Sequence, residues 1–183
     1  MALRTPPSWL QNGSHPAEND RLTTQTIWKT TGIINATDLA VTPNSPAGMT
    51  VLIASGWAAI VGSYQANMGT YMIYNDATVT ATITTSNPSN PRIDLIVATV
   101  SDAYYTGSLN QVAFQVIAGT PAASPVAPST PINSIALAQV YVGATVTSIS
   151  SGNITDQRVL ATSPIAATIS LSNVETEIFM GAY

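Results

Sequence analysis

Pro91-Arg92-Ile93-Asp94-Leu95-Ile96-Val97 opens the stretch that decides the fold, and Ile154-Thr155-Asp156-Gln157-Arg158 closes it. At each end an arginine and an aspartate stand two residues apart. In an extended strand positions i and i+2 project from the same face, so Arg92 faces Asp94 and Asp156 faces Arg158. Arginine beside aspartate favours the ionised carboxylate and lowers its pKa, the reverse of what a general base poised near neutrality requires. The four residues therefore read as a structural ion-pair network, partly buried, in which strand ends from both extremes of one domain meet. No residue is assigned a catalytic role.

Between these ends, Ile93 to Val100 is apolar on both faces and reads as a central strand. Val112, Phe114 and Val116 share one face of the next strand, while residues 119–131 hold four prolines and can only be an extended surface loop. Ile135 to Val142 and Ala144 to Ile149 supply the last core strands. On the N-terminal side the period is two from Leu39 onward: Met49, Val51 and Ile53 alternate with small or polar residues, and Trp57 to Val61 starts a further strand after Gly56. Gly69 to Tyr74 and Ala77 to Thr85 read as strands joined by a tight turn at Asn75-Asp76. In the second, Val79, Ala81 and Ile83 take one face and the threonines take the other.

Residues 1 to about 15 carry prolines, a tryptophan and Gly13-Ser14 without a period, which describes an extended arm. From Pro16 to about Trp28 there is room for one short helix, with Pro16 in its first turn and Glu18 and Asp20 at the positive end of its dipole. The organisation is thus an arm and helix over residues 1–30, a β-domain over 31–160 and a tail over 161–183 with a further strand at 165–171. The expected fold is all-β, an antiparallel β-sandwich or partly closed barrel of about seven or eight strands.

Composition sharpens this. Charged residues are 8% of the 183, where about 25% is usual, so the surface is clothed in Thr, Ser, Asn and Gln or buried against other subunits. A homo-oligomer is expected, docked through the arm at Trp9 and Leu10 and through the tail at Phe179 and Tyr183. The net charge is −4 and the five basic residues are scattered, which provides no phosphate-tracking stripe, so nucleic acid is not a partner. No apolar run approaches the length of a bilayer span and no signal-peptide h-region precedes Pro6, so neither export by a signal peptide nor membrane insertion is expected.

His15 is the only histidine and cysteine is absent, which leaves no His-based or thiolate metal site and no catalytic triad; neither metal nor cofactor is expected. Ser14 and His15 lie in the presumed arm. Asp38, Asp76, Asp102, Glu175 and Glu177 are dispersed in turns and in the tail, and Asp76 and Asp102 follow strand-ending residues, where aspartate bonds the backbone of a turn. Trp57, Tyr71, Tyr74, Tyr104 and Tyr105 form either a subunit interface or an aromatic platform for a host cell-surface glycan.

Several of these motifs occur in one order: Asn90 to Val97, the Gly119-Thr120-Pro121-Ala122 loop to Pro131, Ile135-Ala136-Leu137-Ala138, and Ile154-Thr155-Asp156-x-Arg158. In that order they resemble a β-domain recurrent in structural proteins of tailed-phage virions, found in minor tail, baseplate and fibre-anchoring proteins of phages infecting actinobacteria. The resemblance covers about residues 3 to 160. It implies a non-enzymatic virion component, synthesised in the host cytoplasm, commonly oligomeric (a trimer is favoured) and attached to other virion proteins. Longer relatives carry receptor-binding sequence after the Asp-x-Arg motif, whereas this chain runs about 25 residues past it. Two alternatives remain: a capsid decoration protein, and a carbohydrate-binding module contacting the host surface.

Overall fold

A computed structural model describes residues 16–164. His15, the arm residues Trp9 and Leu10, the expected strand at 165–171, Glu175, Glu177, Phe179 and Tyr183 lie outside the described residues.

The described chain opens with helix α1 (Ala17–Ile27) and continues through β1 (Gly32–Ile33), β2 (Val41–Pro43), β3 (Thr50–Ile53), β4 (Gly56–Val61) and β5 (Thr70–Asn75). It then forms β6 (Val79–Thr82), β7 (Arg92–Ser101), β8 (Gln111–Ile117), β9 (Ser134–Val142) and β10 (Ile154–Asp156). Three sheets result, ordered β1-β4-β5, β2-β3-β6 and β10-β9-β7-β8, and every pairing between these strands is antiparallel. No sheet among the described residues closes on itself, so of the two expected architectures the sandwich-like one describes the molecule.

A single hydrophobic core joins the sheets. Ile60 and Ile73 come from the first, Val51 and Ile53 from the second, Ile96, Leu137 and Val140 from the third. The centre is β7, buried continuously from Asp94 to Ala98 and flanked by β8 and β9. Its apolar run on both faces is what an interior strand requires. In β6 the outward residues Thr80 and Thr82 are exposed, as is Thr84 beyond it, while Ile83 is buried.

Three expectations are corrected. The described residues hold ten strands, because β1, β2 and β10 are two or three residues long, too short to show a period. The strands β5 and β6 do not form a hairpin: β5 pairs with β4, and β6 crosses to β3, setting Val51 opposite Ala81 and Ile53 opposite Val79. That register gathers the apolar rows of β3 and β6 on the core, and the Asn75 amide donates to the Ala54 carbonyl (2.9 Å), tying the end of β5 to the crossover between sheets. Residues 144–149 are not a strand. Thr145 sits at φ 60°, outside the β region, and its N–H bonds the Asn87 carbonyl (3.1 Å); Ile149 is buried nonetheless.

The helix tolerates its threonines by bonding their hydroxyls back to the preceding turn. Thr23 donates to the Asn19 carbonyl and Thr24 to that of Asp20, both at 2.9 Å. It packs on β5 and on Gly69 just before it, whose φ is +76° and where a Cβ would collide with the backbone of Arg21. Glycine there admits the helix and so fixes where Arg21 stands.

Candidate functional site

The aromatic residues converge. β5 carries Tyr71 on its core-facing side and Met72 and Tyr74 on the other; the turn after β7 carries Tyr104 and Tyr105. Together with the first turns of α1 these elements enclose a groove of about 830 Å³, lined by Pro16, Glu18, Arg21, Tyr71, Tyr74 and Asp102 among others.

Arg21 organises one wall. Its guanidinium lies 4.8 Å from the centre of the Tyr71 ring and 5.5 Å from that of Tyr105, positions where a cation is attracted to the ring face. Its Nε donates to the Met68 carbonyl (2.8 Å), its Nη2 to the Tyr105 hydroxyl (2.9 Å), and its Nη1 lies 3.7 Å from Asp102. The Tyr71 hydroxyl donates to Asp102 Oδ2 (2.7 Å). Burial, and then the bond to Asp102, push the Tyr71 hydroxyl well above its ordinary value, so it stays protonated and committed as a donor. Asp102 also accepts from the Tyr104 N–H (3.0 Å), the turn-closing role expected of it. Asp38 makes a similar local bond, accepting from the Asn35 N–H (2.8 Å).

The rim carries large exposed apolar side chains. Trp57 stacks on Tyr74 with ring centres 4.3 Å apart, and Tyr104 meets Tyr105 edge-on at 5.0 Å. Tyr104 is 82% exposed, and Trp57, Met72, Tyr74 and Val112 are also exposed. All five aromatic residues singled out from the sequence thus belong to one tract. The groove offers ring faces and aliphatic surface, and of its charged side chains Arg21 and Asp102 are engaged with each other and with the tyrosines.

The sequence did not single out Arg21, which reads there as one of the scattered basic residues. Its partners Met68, Asp102 and Tyr105 are 47 to 84 positions away, so no local pattern announces it.

The four charged residues of the motifs form two pairs. Arg92 donates through Nε to Asp94 Oδ1 (2.8 Å) and through Nη2 to Oδ2 (3.1 Å). Arg92 also holds the carbonyls of Thr84 (2.6 Å) and Thr85 (2.9 Å), and Asp94 accepts from the Gly119 N–H (2.9 Å). A Cβ at position 119 would collide with the Ile93 carbonyl oxygen, so only glycine lets the chain close on Asp94. Arg158 donates to Asp156 through Nε (2.9 Å) and Nη2 (2.8 Å), and its Nη1 bonds the carbonyls of Ala36 (3.2 Å) and Asp38. The Arg158 hydrogen bonds hold the Asp156 carboxyl below its usual range.

Each pair clasps its own segments, and no bond joins them. The single network expected of the four is two clasps: Asp94 lies opposite Val140 and Asp156 opposite Ala138, on strands that flank β9 from either side. Comparison with known proteins adds no identity, since no protein-family model, no curated protein and no solved structure matches the chain.

Proposed function

We propose that the chain is a non-enzymatic structural component of a tailed-phage virion, a minor tail or baseplate protein that oligomerises and attaches to other virion proteins. The observation that carries this reading is the exposed tract of Met72, Tyr74, Tyr104 and Val112 around one groove, extended by Trp57 stacked on Tyr74. Tyrosine, tryptophan and methionine are the residues enriched where proteins meet, and a contiguous apolar tract of that kind marks an interaction surface. The motif order that resembles virion β-domains is consistent with it, because its arginines and aspartates serve as clasps of the scaffold. Attachment then proceeds by burial of apolar side chains and strand-edge backbone.

Imaging of purified particles carrying a tag at Tyr183 tests the reading. Label at the tail or baseplate is the expected result. Label over the head assigns capsid decoration instead, and particles that lack the protein overturn the virion role. Light scattering on the purified chain is expected to give a multiple of 19.0 kDa; a stable soluble monomer overturns the oligomer.

A further inference from the structure

Two strand edges face each other across the groove. The strand β5 ends one sheet and β8 ends another. Tyr71 to Tyr74 line one wall, Gln111 and Val112 the other, and a hollow of about 170 Å³ continues between Ile73–Asn75 and Val112–Phe114.

The ladders tell which backbone groups point into it. Beyond the paired residues of β4 and β5, the Gly62 N–H donates to the Gly69 carbonyl (2.9 Å). Alternation along an antiparallel pair then turns the N–H and C=O of Met72 and Tyr74 away from β4. The Val100 N–H donates to the Asn133 carbonyl (2.9 Å) on the β9 side, so its opposite number Val112, and Phe114 two residues on, turn theirs away from β7. Among the described residues no further strand pairs with either edge. Open edges bordered by large apolar side chains are templates for an added strand.

The geometry points to the N-terminal arm of a second copy of this chain, residues 1–15, as the strand that fills the groove. This rests on the oligomeric reading above. The described chain begins at Pro16, and Pro16, Ala17 and Glu18 line the groove, so each arm starts at the rim of such a site. Fifteen residues reach about 50 Å when extended. The wall from Tyr71 to Tyr74 needs only about 13 Å, which leaves length to cross to a neighbour. Residues 1–15 contain Arg4 and no acidic residue, whereas the groove lining carries Glu18 and Asp102 against the single cation Arg21, so its net charge is opposite to that of the arm. Trp9 and Leu10 supply apolar side chains for the rim of Trp57, Met72 and Tyr74. An arm passed from each copy to the next closes a ring, a class of assembly that includes the trimer.

The chain has no cysteine, which makes disulfide trapping unambiguous. A chain with Gln11→Cys and a differently tagged chain with Val112→Cys are co-expressed and mildly oxidised, with thermal melts confirming that each folds. A disulfide joining the two tags is expected, as is a fall in mass to a single chain when residues 1–15 are deleted. Three results overturn the inference: a disulfide formed only within one chain carrying both substitutions, no disulfide while both thiols react with a maleimide, or an arm-deleted chain that keeps its oligomeric mass. A neutral cell-wall oligosaccharide that shifts Trp57 fluorescence of the full chain at unchanged mass also overturns it, giving the groove to a glycan. All these readouts use purified protein, so they fail independently of whether the chain is found in particles.

Discussion

Arg92–Asp94 and Asp156–Arg158 have the same residues, the same spacing and the same two-pronged geometry, and in both the arginine also holds carbonyls of another segment. Burial separates them. Asp94 is 0% exposed and Arg92 5%, whereas the Asp156 side chain is 58% exposed. Removing one partner of the buried pair strands a charge that water cannot reach, while the exposed carboxylate is solvated with or without its arginine. Sequence spacing therefore marks a clasp without fixing its strength, which comes from the strands stacked over it. Around Arg92 these are the interior of β7, the segment after β6 and the turn at Gly119.

The contrast can be broken by substitution. Asp94→Ala is expected to lower stability by about 3–5 kcal/mol, read as a lower urea midpoint at unchanged slope; a loss within about 0.5 kcal/mol, the size of an ordinary surface change, would erase the distinction between the clasps. The pair of Arg21 and Asp102, each 16% exposed, lies between the extremes. Arg21→Met should cost about 2 kcal/mol, the scale of hydrogen bonds to a charged group, and weaken the near-UV circular dichroism of the tyrosines it orders. An unchanged tyrosine signal would mean that the wall stands without its cation.

Thr84→Val removes the hydroxyl that accepts from Arg92 Nη2 at 2.8 Å while the backbone bonds remain, and about 1 kcal/mol is expected. The smallest effect is expected from Asp156→Asn, about 0.5 kcal/mol at neutral pH given its exposure. Its sign with pH is fixed. The folded pKa lies below the unfolded one, so the contribution is complete above the unfolded value and disappears as pH falls through the folded value. Wild type and variant should converge in acid and also in high salt. A gap that widens in acid would show that the Asp156 pair is not what the substitution removed.

The charged pairs and the long strands were legible because each is local. Arg92 and Asp94 share a face by strand geometry alone, and the run from Ile93 to Val100 is too apolar for a sheet edge. The partners of those strands were not legible. Asn75-Asp76 has the chemistry of a hairpin turn, yet β3 offers β6 an apolar row that matches its own, and tertiary burial outweighs the local turn preference. Residues 144–149 alternate well enough for a strand, and only the approach of Asn87, distant in sequence, explains why Thr145 adopts φ 60°. In the groove the aromatic residues stood out by type, but their convergence depended on which sheet edges face each other, and Arg21 became visible only through its distant partners.

The exposed threonines of β6 and its continuation have a consequence for how the molecule behaves in different solutions. A surface of hydroxyl and amide groups offers mobile ions little to screen, since simple salts act on fixed charges within a Debye length. Its colloidal behaviour should depend weakly on ionic strength and more strongly on solutes excluded from protein surfaces, such as sulfate, which favour burial. The self-association proposed for this chain should therefore persist across salinities that would dissociate a charge-steered assembly.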